Sequence, residues 1–590
     1  MTYSQTYELS ISKASELIRN KKLSPVDLLE DHIKRVEAKD QHLNSFITRT
    51  FDEAMNQARI CEQEITAGNW KGPLHGIPLA VKDLFYTKDI VTTIGSQKYK
   101  SFIPTFNATV VDKLEHAGAV MMGKLNMHEL AFGTTGKNSV FGDCHNPWNT
   151  MKITGGSSAI NGQVFLRAIP EDFDNWVAWG NDKWGFQDIL PYYNKLETDM
   201  TYQENPGDFH GSEGPIICHR FPEEEWLPGS KAFVEACLKS GYPYCEDANL
   251  PDTDGVGPIP LNNPDGIRWS TAIGYLGISR SRLNLTIRAN VEVKKILFDT
   301  TRTKPQAYGV AVESKGETFV AEGKDIILSA GAIGSPQILL LSGIGPKSHL
   351  TEHGLECILD APGVGQNLRD HPLLPLKWAT KPNVDLDPFG PSGQILLRYT
   401  ANGSSLKNDM IVYFGAVTSK RRDQGGTKSE PIGIGAGLGL NLALSKGELK
   451  LATTDHTDQP HLDFNLLDDP EDMRRYREGV RMLVSLENHH SMRELVDYRL
   501  EPTDEDLATD EKLEEWIRKN VGTGHHVSCT AKMGPTSDPM SVVDQHGKVH
   551  GIENLRVADA SIMPDCVRAN TNVTVMAIGE KVSDFIKNGF

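Results

Sequence analysis

The sequence predicts an α/β protein built from two parts that differ in their patterns. Helical periodicity alternates with short apolar runs up to residue 125, which is typical of strands packed against helices. A short apolar run at residues 324–330 leads into Gly331 and then into a helical pattern, as in a strand–turn–helix unit. Strand-like runs predominate between residues 376 and 499, which favours a separate α+β region.

The N-terminal part carries clear helix signals. Ser24 is a natural N-cap, Pro25 suits the first helical position, and Asp27 lies where a capping carboxylate belongs. Apolar residues then recur at helical spacing over Leu29–Val36. Two apolar strands with a helix between them are predicted downstream, at residues 79–81 and within residues 110–122.

The middle of the chain predicts helices beside a group of strands. The tryptophan-rich residues 172–195 contain a helix from about Phe186 to Leu196. Alternating apolar residues predict strands over residues 284–299, 307–312 and 318–320. After the strand at residues 324–330, a helix is predicted to begin near Ser335 and Pro336.

The C-terminal part predicts further strands and two helices. The strand-like runs are residues 394–399, 410–414 and 448–453. A helix is predicted over Asp506–Asn520, with apolar residues on one face. A last strand over Leu555–Ala558 precedes a helix from Val573 to Ile586, for which Asn572 is the predicted N-cap.

Composition limits the possible partners and locations. The 590 residues carry a formal net charge of -17, so the basic patch that nucleic acid or an anionic membrane requires is not expected. Eight cysteines occur without any C-x-x-C spacing, which is typical of reduced thiols inside a cell. The polar start and the Gly and Pro residues within the most apolar stretch predict neither a signal peptide nor a transmembrane helix. We therefore expect a cytoplasmic or otherwise intracellular protein.

Four stretches in the N-terminal part carry a first resemblance: Gly76–Asp83, Gly123–Leu130, Asn138–Gly142 and Asn146–Asn149. With them, residues 7–150 resemble the amidase signature family, whose hydrolases cleave C–N bonds through a Ser-Ser-Lys relay. The resemblance implies that Lys82, kept neutral by burial, is the base. It also implies that Ser157, in the run Gly155-Gly156-Ser157-Ser158, is the bridging serine.

This relay lacks its nucleophile. The resemblance places a nucleophilic serine further along the chain, in a turn that also binds the oxyanion. Residues Trp176–Asp182, which occupy that place, contain no serine. A base and a bridging serine alone cannot form an acyl-enzyme, so amide hydrolysis through Lys82 and Ser157 is kept only as an alternative.

Four other stretches carry a second resemblance: Gly155–Val164, Gly331–Gly345, Gly363–Pro372 and Arg556–Pro564. With them, residues from about Lys152 to Phe590 resemble the glucose-methanol-choline (GMC) family of FAD-dependent oxidoreductases. The resemblance implies an FAD cofactor and a small-molecule alcohol that is oxidised to a carbonyl, with hydride passing to flavin N5. It implies oxygen or a quinone-like molecule as electron acceptor.

The same resemblance assigns the site residues. His526 is implied as the base and Asn572 as its partner, and histidine suits this role because its pKa lies near working pH. Contacts with flavin or its ADP portion are implied for Asn161, Gly162, Val164, Val293, Asp559 and Ala560. A metal bound by His525, His526 and Cys529 is not expected, because a second ligand pair at matching spacing is missing.

The second resemblance lacks its opening unit. A member should begin with a strand, a G-x-G-x-x-G turn and a helix that together hold the pyrophosphate. Gly433–Gly439 follows a polar stretch and has Leu438 where the third glycine belongs, and Gly133–Lys137 lacks P-loop spacing. Without this unit, residues 326–328 and 555–557 are expected to lack a neighbouring strand.

Together these patterns predict an incomplete FAD-binding Rossmann-like domain and an α+β substrate domain, preceded by an α/β amidase-like fragment. The predicted segments are residues 1–150 (amidase-like), 151–375 (FAD-binding, truncated at its start), 376–505 (substrate-binding) and 506–590 (the C-terminal region with the catalytic pair). The predicted function is FAD-dependent oxidation of CH–OH groups, which loss of the ADP-binding motif would weaken. The alternatives are the amidase reaction and a non-catalytic fusion or mis-joined gene product.

Overall fold

The computed structural model describes residues 6–127, 138, 140–142, 144, 156–314, 316–387, 390–419 and 431–590. The chain divides into two compact units, Met1–Gly156 and Ser157–Phe590. The predicted boundary at residues 150 and 151, and Gly155 of the shared Gly-Gly-Ser-Ser run, lie outside the described residues.

The first unit packs helices on a small sheet. Its helices are α1 (Ile11–Arg19), α2 (Pro25–Leu43), α3 (Phe51–Thr66) and α4 (Thr109–His116). Its strands are β1 (Phe46–Arg49), β2 (Pro78–Lys82) and β3 (Val120–Leu125), in the order β1-β3-β2. The Ser24 hydroxyl accepts from the backbone N–H groups of Val26 and Asp27, as predicted for the start of α2.

The second unit contains nine further α-helices among the described residues. They are α5 (Pro170–Ala178), α6 (Phe186–Leu196), α7 (Pro228–Lys239), α8 (Gly331–Leu341), α9 (Lys347–Glu352), α10 (Pro470–Leu486), α11 (His490–Leu495), α12 (Asp510–Asn520) and α13 (Thr571–Lys587). Helix α12 begins four residues later than predicted, and its apolar face is buried through Leu513, Trp516 and Ile517.

The strands of the second unit form several sheets. The strands outside the large sheet are β4 (Glu197–Asp199), β5 (Ile216–Cys218), β7 (Glu292–Asp299), β8 (Gln306–Ser314), β9 (Glu317–Glu322), β10 (Ile326–Leu328), β11 (Ile344–Gly345), β12 (Leu359–Asp360), β13 (Gln366–Leu368), β18 (Gly447–Lys450), β19 (His461–Asp463) and β22 (Leu555–Val557). Antiparallel sheets have the orders β7-β8-β9 and β13-β18-β19.

The strands of the large antiparallel sheet are β6 (Gly255–Pro258), β14 (Pro372–Thr380), β15 (Gly393–Tyr399), β16 (Met410–Ser419), β17 (Pro431–Leu440), β20 (Val496–Glu501) and β21 (Gly522–Thr523). Their order is β20-β14-β17-β16-β15-β6, and β21 also pairs with β14. The glycine-rich run Gly433–Gly439 therefore belongs to a central strand and not to a phosphate-binding turn. A Cβ atom at Gly433 would lie 1.8 Å from the backbone oxygen of Trp378, so close strand packing requires this glycine.

Strands β10 and β22 form a parallel pair, with Ile326 opposite Leu555 and Leu328 opposite Val557. Within the described parts of the chain, this sheet contains these two strands. Leu328 is buried, whereas 44% of Ile327 is exposed. The pair thus combines a buried apolar face with an accessible apolar residue.

The last helix differs from its prediction at the N-terminus. Helix α13 begins at Thr571, two residues before the predicted start, and Asn570 rather than Asn572 is its N-cap residue. The Asn570 side chain makes no capping hydrogen bond. Among the helices that the structure describes, none is both long and apolar enough to cross a bilayer.

Candidate active site

Two loop segments are joined at the centre of the site, and each carries a histidine. Ser528 N–H donates to the backbone oxygen of Arg369 at 2.9 Å, and Gly524 N–H donates to that of His371 at 2.9 Å. The backbone N–H groups of His526 and His371 both donate to Oδ1 of Asp370, each at 2.8 Å. This shared carboxylate holds the two histidines side by side.

The segment after His526 is fixed to the end of strand β22. Cys529 N–H donates to the backbone oxygen of Ala560 at 3.0 Å, and Ala531 N–H donates to that of Ser561 at 2.8 Å. The Asp559 carboxylate accepts from Gly331 N–H at the start of α8 and from Ser561 N–H. The parallel pair and α8 thereby position the segment that carries His526.

His526 contacts Asn570. Nδ2 of Asn570 lies 3.0 Å from Nε2 of His526, and the Tyr413 hydroxyl donates to Oδ1 of Asn570 at 2.9 Å. An amide nitrogen can only donate, so Nε2 of His526 is the acceptor and carries a lone pair toward Asn570. The predicted partner was Asn572.

Asn572 lies in the first turn of α13. Its Nδ2 atom is buried without a hydrogen-bond partner among the described residues. The asparagine that contacts His526 in the structure is Asn570, two residues before the predicted partner. A buried donor without an acceptor costs free energy, so this donor of Asn572 is available to an acceptor on a bound group.

The other side of His526 contacts His371 and a thiol. The Nδ1 atoms of the two histidines lie 3.0 Å apart, and Nε2 of His371 lies 3.1 Å from Sγ of Cys566. The Ser528 hydroxyl also donates to Cys566 Sγ at 3.4 Å. The imidazole of His526 is thus held at both ring nitrogens.

The surroundings favour a neutral His526. Burial, together with the neighbouring His371 and His525, lowers the pKa of His526 well below its ordinary value. Burial also lowers the pKa of His371 to about 4. Both rings are therefore unprotonated at neutral pH, which suits a general base.

The residues implied as cofactor contacts occupy two places. Asn161, Gly162 and Val164 follow the short 3-10 helix Gly156–Ala159, and Oδ1 of Asn161 accepts from Arg268 at 3.0 Å. Gly162 is exposed, and a Cβ atom placed there would meet no other atom within 4 Å. Val164 forms an isolated bridge with Leu261.

The other three residues lie near the small sheets. Val293 is half-buried in β7, and Asp559 and Ala560 come one residue after the end of β22. Both Asp559 oxygens accept hydrogen bonds from other residues of the chain. Oδ1 accepts from the Ser561 hydroxyl, and Oδ2 accepts from the Ser335 hydroxyl at 2.5 Å. Asp559 therefore has a structural role in the fold as described.

These residues are compatible with FAD at the flavin end of its site. The unpartnered Nδ2 of Asn572 offers a donor to an acceptor oxygen or nitrogen, and the backbone at Gly162 is open to a planar group. Nε2 of His526 contacts Asn570, the N-cap residue of α13, and Asn572 lies in the first turn of the same helix. Asn161, Gly162, Val164 and Asn572 are the residues that would contact the flavin when FAD binds.

The residues of the alternative relay have a different setting. Lys82 is exposed at the end of β2, although partial desolvation lowers the pKa of its ammonium. Among the described residues of this unit, the buried lysine is Lys124, whose Nζ lies 2.6 Å from the Thr92 hydroxyl and 3.3 Å from Asp83. Ser157 is exposed and belongs to the second unit. Lys82 thus lacks the burial that the relay requires of its base.

The stretch that should supply the nucleophile of that relay is also structural. Trp176 lies in α5 and is 1% exposed, and Asn181 is fully buried. Trp176 belongs to the core cluster that also contains residues of α6, whereas Trp179 and Gly180 are exposed. The stretch contains no serine hydroxyl.

Sequence reasoning missed several residues of the site. His371 and Asn570 both lie in or beside family stretches, so a signal for them was present in Gly363–Pro372 and in the run Asn570-Thr571-Asn572. Tyr413 and Cys566 had no such signal. Tyr413 is on a central strand of the large sheet, and its contact with Asn570 spans 157 residues of sequence.

Comparison with known families agrees with both resemblances. Residues 131–373 and 443–579 match the N-terminal and C-terminal models of the GMC oxidoreductase family. Residues 27–162 match the amidase family model.

Similar proteins support the same family. The oxygen-dependent choline dehydrogenase of Photobacterium profundum is 31% identical over 457 residues, covering 74% of this chain and 79% of that protein. The enzyme of that name from Serratia proteamaculans is 34% identical, covering 74% of this chain and 81% of that protein.

Solved structures give the same result. An FAD-dependent oxidoreductase from Chaetomium thermophilum is similar with a TM-score of 0.66 and 27% identity, covering 74% of this chain and 86% of that one. Pyridoxine 4-oxidase from Mesorbium loti is similar with a TM-score of 0.64 and 26% identity, covering 74% of this chain and 84% of that one.

The fold and the family matches define a flavoprotein oxidoreductase. The chain belongs to the GMC oxidoreductase family. The function that this membership supports is FAD-dependent oxidation of CH–OH groups, and amide hydrolysis is not favoured.

Proposed function

We propose that His526 removes the hydroxyl proton of a small alcohol and that Asn570 stabilises the resulting oxygen anion. The observation that carries this proposal is the 3.0 Å contact between Nδ2 of Asn570 and Nε2 of His526. It brings a proton acceptor, Nε2 of His526, beside a hydrogen-bond donor, Nδ2 of Asn570. An alcohol oxygen needs both groups as it loses its proton.

The proton transfer follows from these two side chains. The alcohol hydroxyl replaces the Asn570 N–H as the donor to Nε2 of His526; Nε2 then accepts the hydroxyl proton, and the ring becomes a cation. Asn570 has a second amide hydrogen, which can donate to the alkoxide oxygen while its Oδ1 is held by Tyr413. When bound, FAD accepts the hydride from the alcohol carbon.

The proposal assigns FAD contacts to Asn161, Gly162, Val164, Val293, Asp559 and Ala560, with Asn572 as a further donor. It assigns cofactor binding to residues 151–375 and 506–590, and substrate binding to residues 376–505. Support for the second assignment comes from Tyr413, which joins the large sheet to the site through Asn570.

For the substrate and the acceptor, the relatives give the best starting point. Curated relatives are named oxygen-dependent choline dehydrogenases, so choline and other primary alcohols are the proposed donors and oxygen is the proposed acceptor. A quinone-like molecule is the second candidate acceptor. An intracellular location is also proposed, and eight free cysteines support it.

The test is a comparison of His526→Gln with the unmodified protein. Glutamine retains polar contacts but cannot act as a base, so kcat with a primary alcohol should fall by about 10²–10⁴-fold. The flavin absorption of the purified protein should stay unchanged. Undiminished turnover in His526→Gln would overturn the assignment of the base.

A second measurement separates the amidase alternative. A fluorophosphonate probe labels activated serines, and this chain should remain unlabelled because Trp176–Asp182 contains no serine. Labelling that requires Lys82 and Ser157 would support amide hydrolysis instead.

A further inference from the structure

We propose that Tyr413 is a positioning residue that determines which nitrogen of His526 carries the proton. Its hydroxyl acts through Asn570, and the effect extends along a row of hydrogen bonds to Cys566. This inference rests on the proposed function, because it concerns the readiness of His526 to act as a base.

Five side chains form the row, which starts on strand β16. The Tyr413 hydroxyl lies 2.9 Å from Oδ1 of Asn570, and Nδ2 of Asn570 lies 3.0 Å from Nε2 of His526. Nδ1 of His526 lies 3.0 Å from Nδ1 of His371, and Nε2 of His371 lies 3.1 Å from Sγ of Cys566.

The row has two consistent directions, because each contact needs one donor and one acceptor. In the first direction, Tyr413 donates to Asn570, Asn570 donates to Nε2 of His526, Nδ1–H of His526 donates to His371, and Nε2–H of His371 donates to Cys566. In the second direction, each donor and acceptor exchange roles. Cys566 donates to His371, Nδ1–H of His371 donates to His526, and Nε2–H of His526 donates to the Asn570 oxygen, with the Asn570 amide group rotated so that its nitrogen donates to Tyr413. Only the first direction leaves the lone pair of His526 at Nε2.

The two ends of the row decide between these directions. In the second direction, the Tyr413 hydroxyl accepts from Asn570, and its own hydrogen has no acceptor among the described residues. In the first direction, the hydrogen without an acceptor is the S–H of Cys566, whose sulfur accepts from both His371 and Ser528. A thiol is a much weaker donor than a phenol, so leaving the thiol unpaired costs less.

The chemical state of the end groups agrees with this. Burial raises the pKa of the Tyr413 phenol, so the hydroxyl keeps its hydrogen and remains a donor at neutral pH. Burial raises the pKa of the Cys566 thiol as well, so Cys566 remains neutral. The row therefore carries no charge before the alcohol binds.

The consequence for the reaction is direct. With the lone pair at Nε2, His526 can accept the hydroxyl proton at the side where Asn570 binds the alcohol oxygen. With a proton already at Nε2, the same ring could not accept one there. Tyr413 thus favours the reactive form of the base without contacting the substrate.

The experiment is nitrogen NMR of the FAD-containing protein labelled with ¹⁵N-histidine. Long-range ¹H–¹⁵N spectra distinguish Nδ1–H from Nε2–H histidines, and His526→Gln identifies the His526 signals among those of 19 histidines. The unmodified protein should show His526 protonated at Nδ1. In Tyr413→Phe, a signal for Nε2–H should appear, and kcat/KM should fall at least about twofold as the reactive form loses its advantage.

The matched control is Tyr399→Phe in the neighbouring strand β15. The Tyr399 hydroxyl is buried and has no hydrogen-bond partner within the described parts of the chain, so its removal should leave the tautomer of His526 and kcat/KM unchanged. Asn570→Asp gives an independent check, because a carboxylate can only accept and should draw the proton to Nε2.

The inference is overturned if His526 of the unmodified protein carries its proton at Nε2. It is also overturned if Tyr413→Phe leaves the His526 signals unchanged, or if Tyr399→Phe changes them as much. These results concern the ring proton alone. Failure of the proposed function would instead appear as full turnover in His526→Gln, whatever the spectra show.

Discussion

Nδ2 of Asn570 donates to Nε2 of His526 across 3.0 Å, and this contact joins the start of helix α13 to the loop that carries the base. The helix N-cap residue usually turns its side chain back to the helix N–H groups. Asn570 instead divides its amide between His526 and Tyr413. Its side chain serves the site and not the helix.

Replacement of the two asparagines should have separable effects. Asn570→Ala removes the donor to the alkoxide oxygen, so kcat/KM should fall about 10²–10³-fold with FAD binding retained. Asn572→Ala removes the buried donor that we propose for FAD, so the Kd for FAD should rise while the activity of the loaded enzyme changes less. Steady-state kinetics and an FAD titration measure both. The reverse ranking of the two variants would contradict the assignment.

The pH profile of kcat/KM should reflect the lowered pKa of His526. The base reacts without its proton, so activity is lost as pH falls through the pKa of His526. Burial and the neighbouring His371 and His525 hold this pKa well below its ordinary value, so the acid limb should lie clearly below pH of about 6.5. A limb at or above that pH would contradict the proposed surroundings of the base.

A buried charge cluster in the second unit should make stability depend on pH. Burial alone would lower the pKa of His210, but hydrogen bonds to Asp199, Asp247 and Glu197 outweigh it and raise this pKa to about 10. The folded pKa lies above the unfolded value of about 6.5, so the stabilisation is fully present below that pH. It is lost as the pH rises from there through about 10.

Denaturant unfolding of His210→Ala tests this cluster. The variant should lose about 3–5 kcal/mol of unfolding free energy at pH 6, because three buried carboxylates are then left with only the positive charges of Arg167 and Arg220. The loss should shrink at higher pH. His490→Ala is the control, since His490 is exposed and its pairing with Glu494 contributes little. An equal loss at pH 6 and pH 9 would contradict a charged His210.

The Asp559 carboxylate should stabilise the joint between β22 and α8. It accepts from Gly331 N–H at 3.0 Å and from the hydroxyls of Ser335 and Ser561 at 2.5 Å. Asp559→Ala leaves these donors buried and unpaired, so the free energy of unfolding should fall by about 3–5 kcal/mol. Asp559→Asn keeps one acceptor oxygen and should lose less. Equal unfolding midpoints for all three proteins would show that the joint does not depend on this carboxylate.

Local features of the fold could be predicted from sequence, whereas contacts between distant segments could not. The Ser24 hydroxyl accepts from backbone N–H groups of the first turn of α2, and Pro25 occupies the first helical position. Both signals are local, so the sequence alone was sufficient to predict this helix start. The glycines from Gly433 to Gly439 show the opposite case. Their spacing resembles a turn motif, but they lie on strand β17, where close packing against the backbone of Trp378 requires Gly433.

In the candidate site, too, local motifs could be predicted from the sequence and contacts between distant segments could not. His526 was predicted from its motif, and it lies at the centre of the observed contacts. The choice between Asn570 and Asn572 depends on a two-residue difference in the start of α13, which an Asn-x-Asn run leaves open. Tyr413 approaches Asn570 only because the large sheet brings β16 beside the helix terminus.

The central claim is that this chain oxidises an alcohol with FAD and His526. The most direct measurement is the visible absorption of the FAD-loaded protein after anaerobic mixing with choline and a panel of primary alcohols. At least one alcohol should bleach the flavin band, and His526→Gln should keep the band under the same conditions. A protein that retains no flavin after incubation with excess FAD, or whose flavin stays oxidised with every alcohol, would contradict the claim.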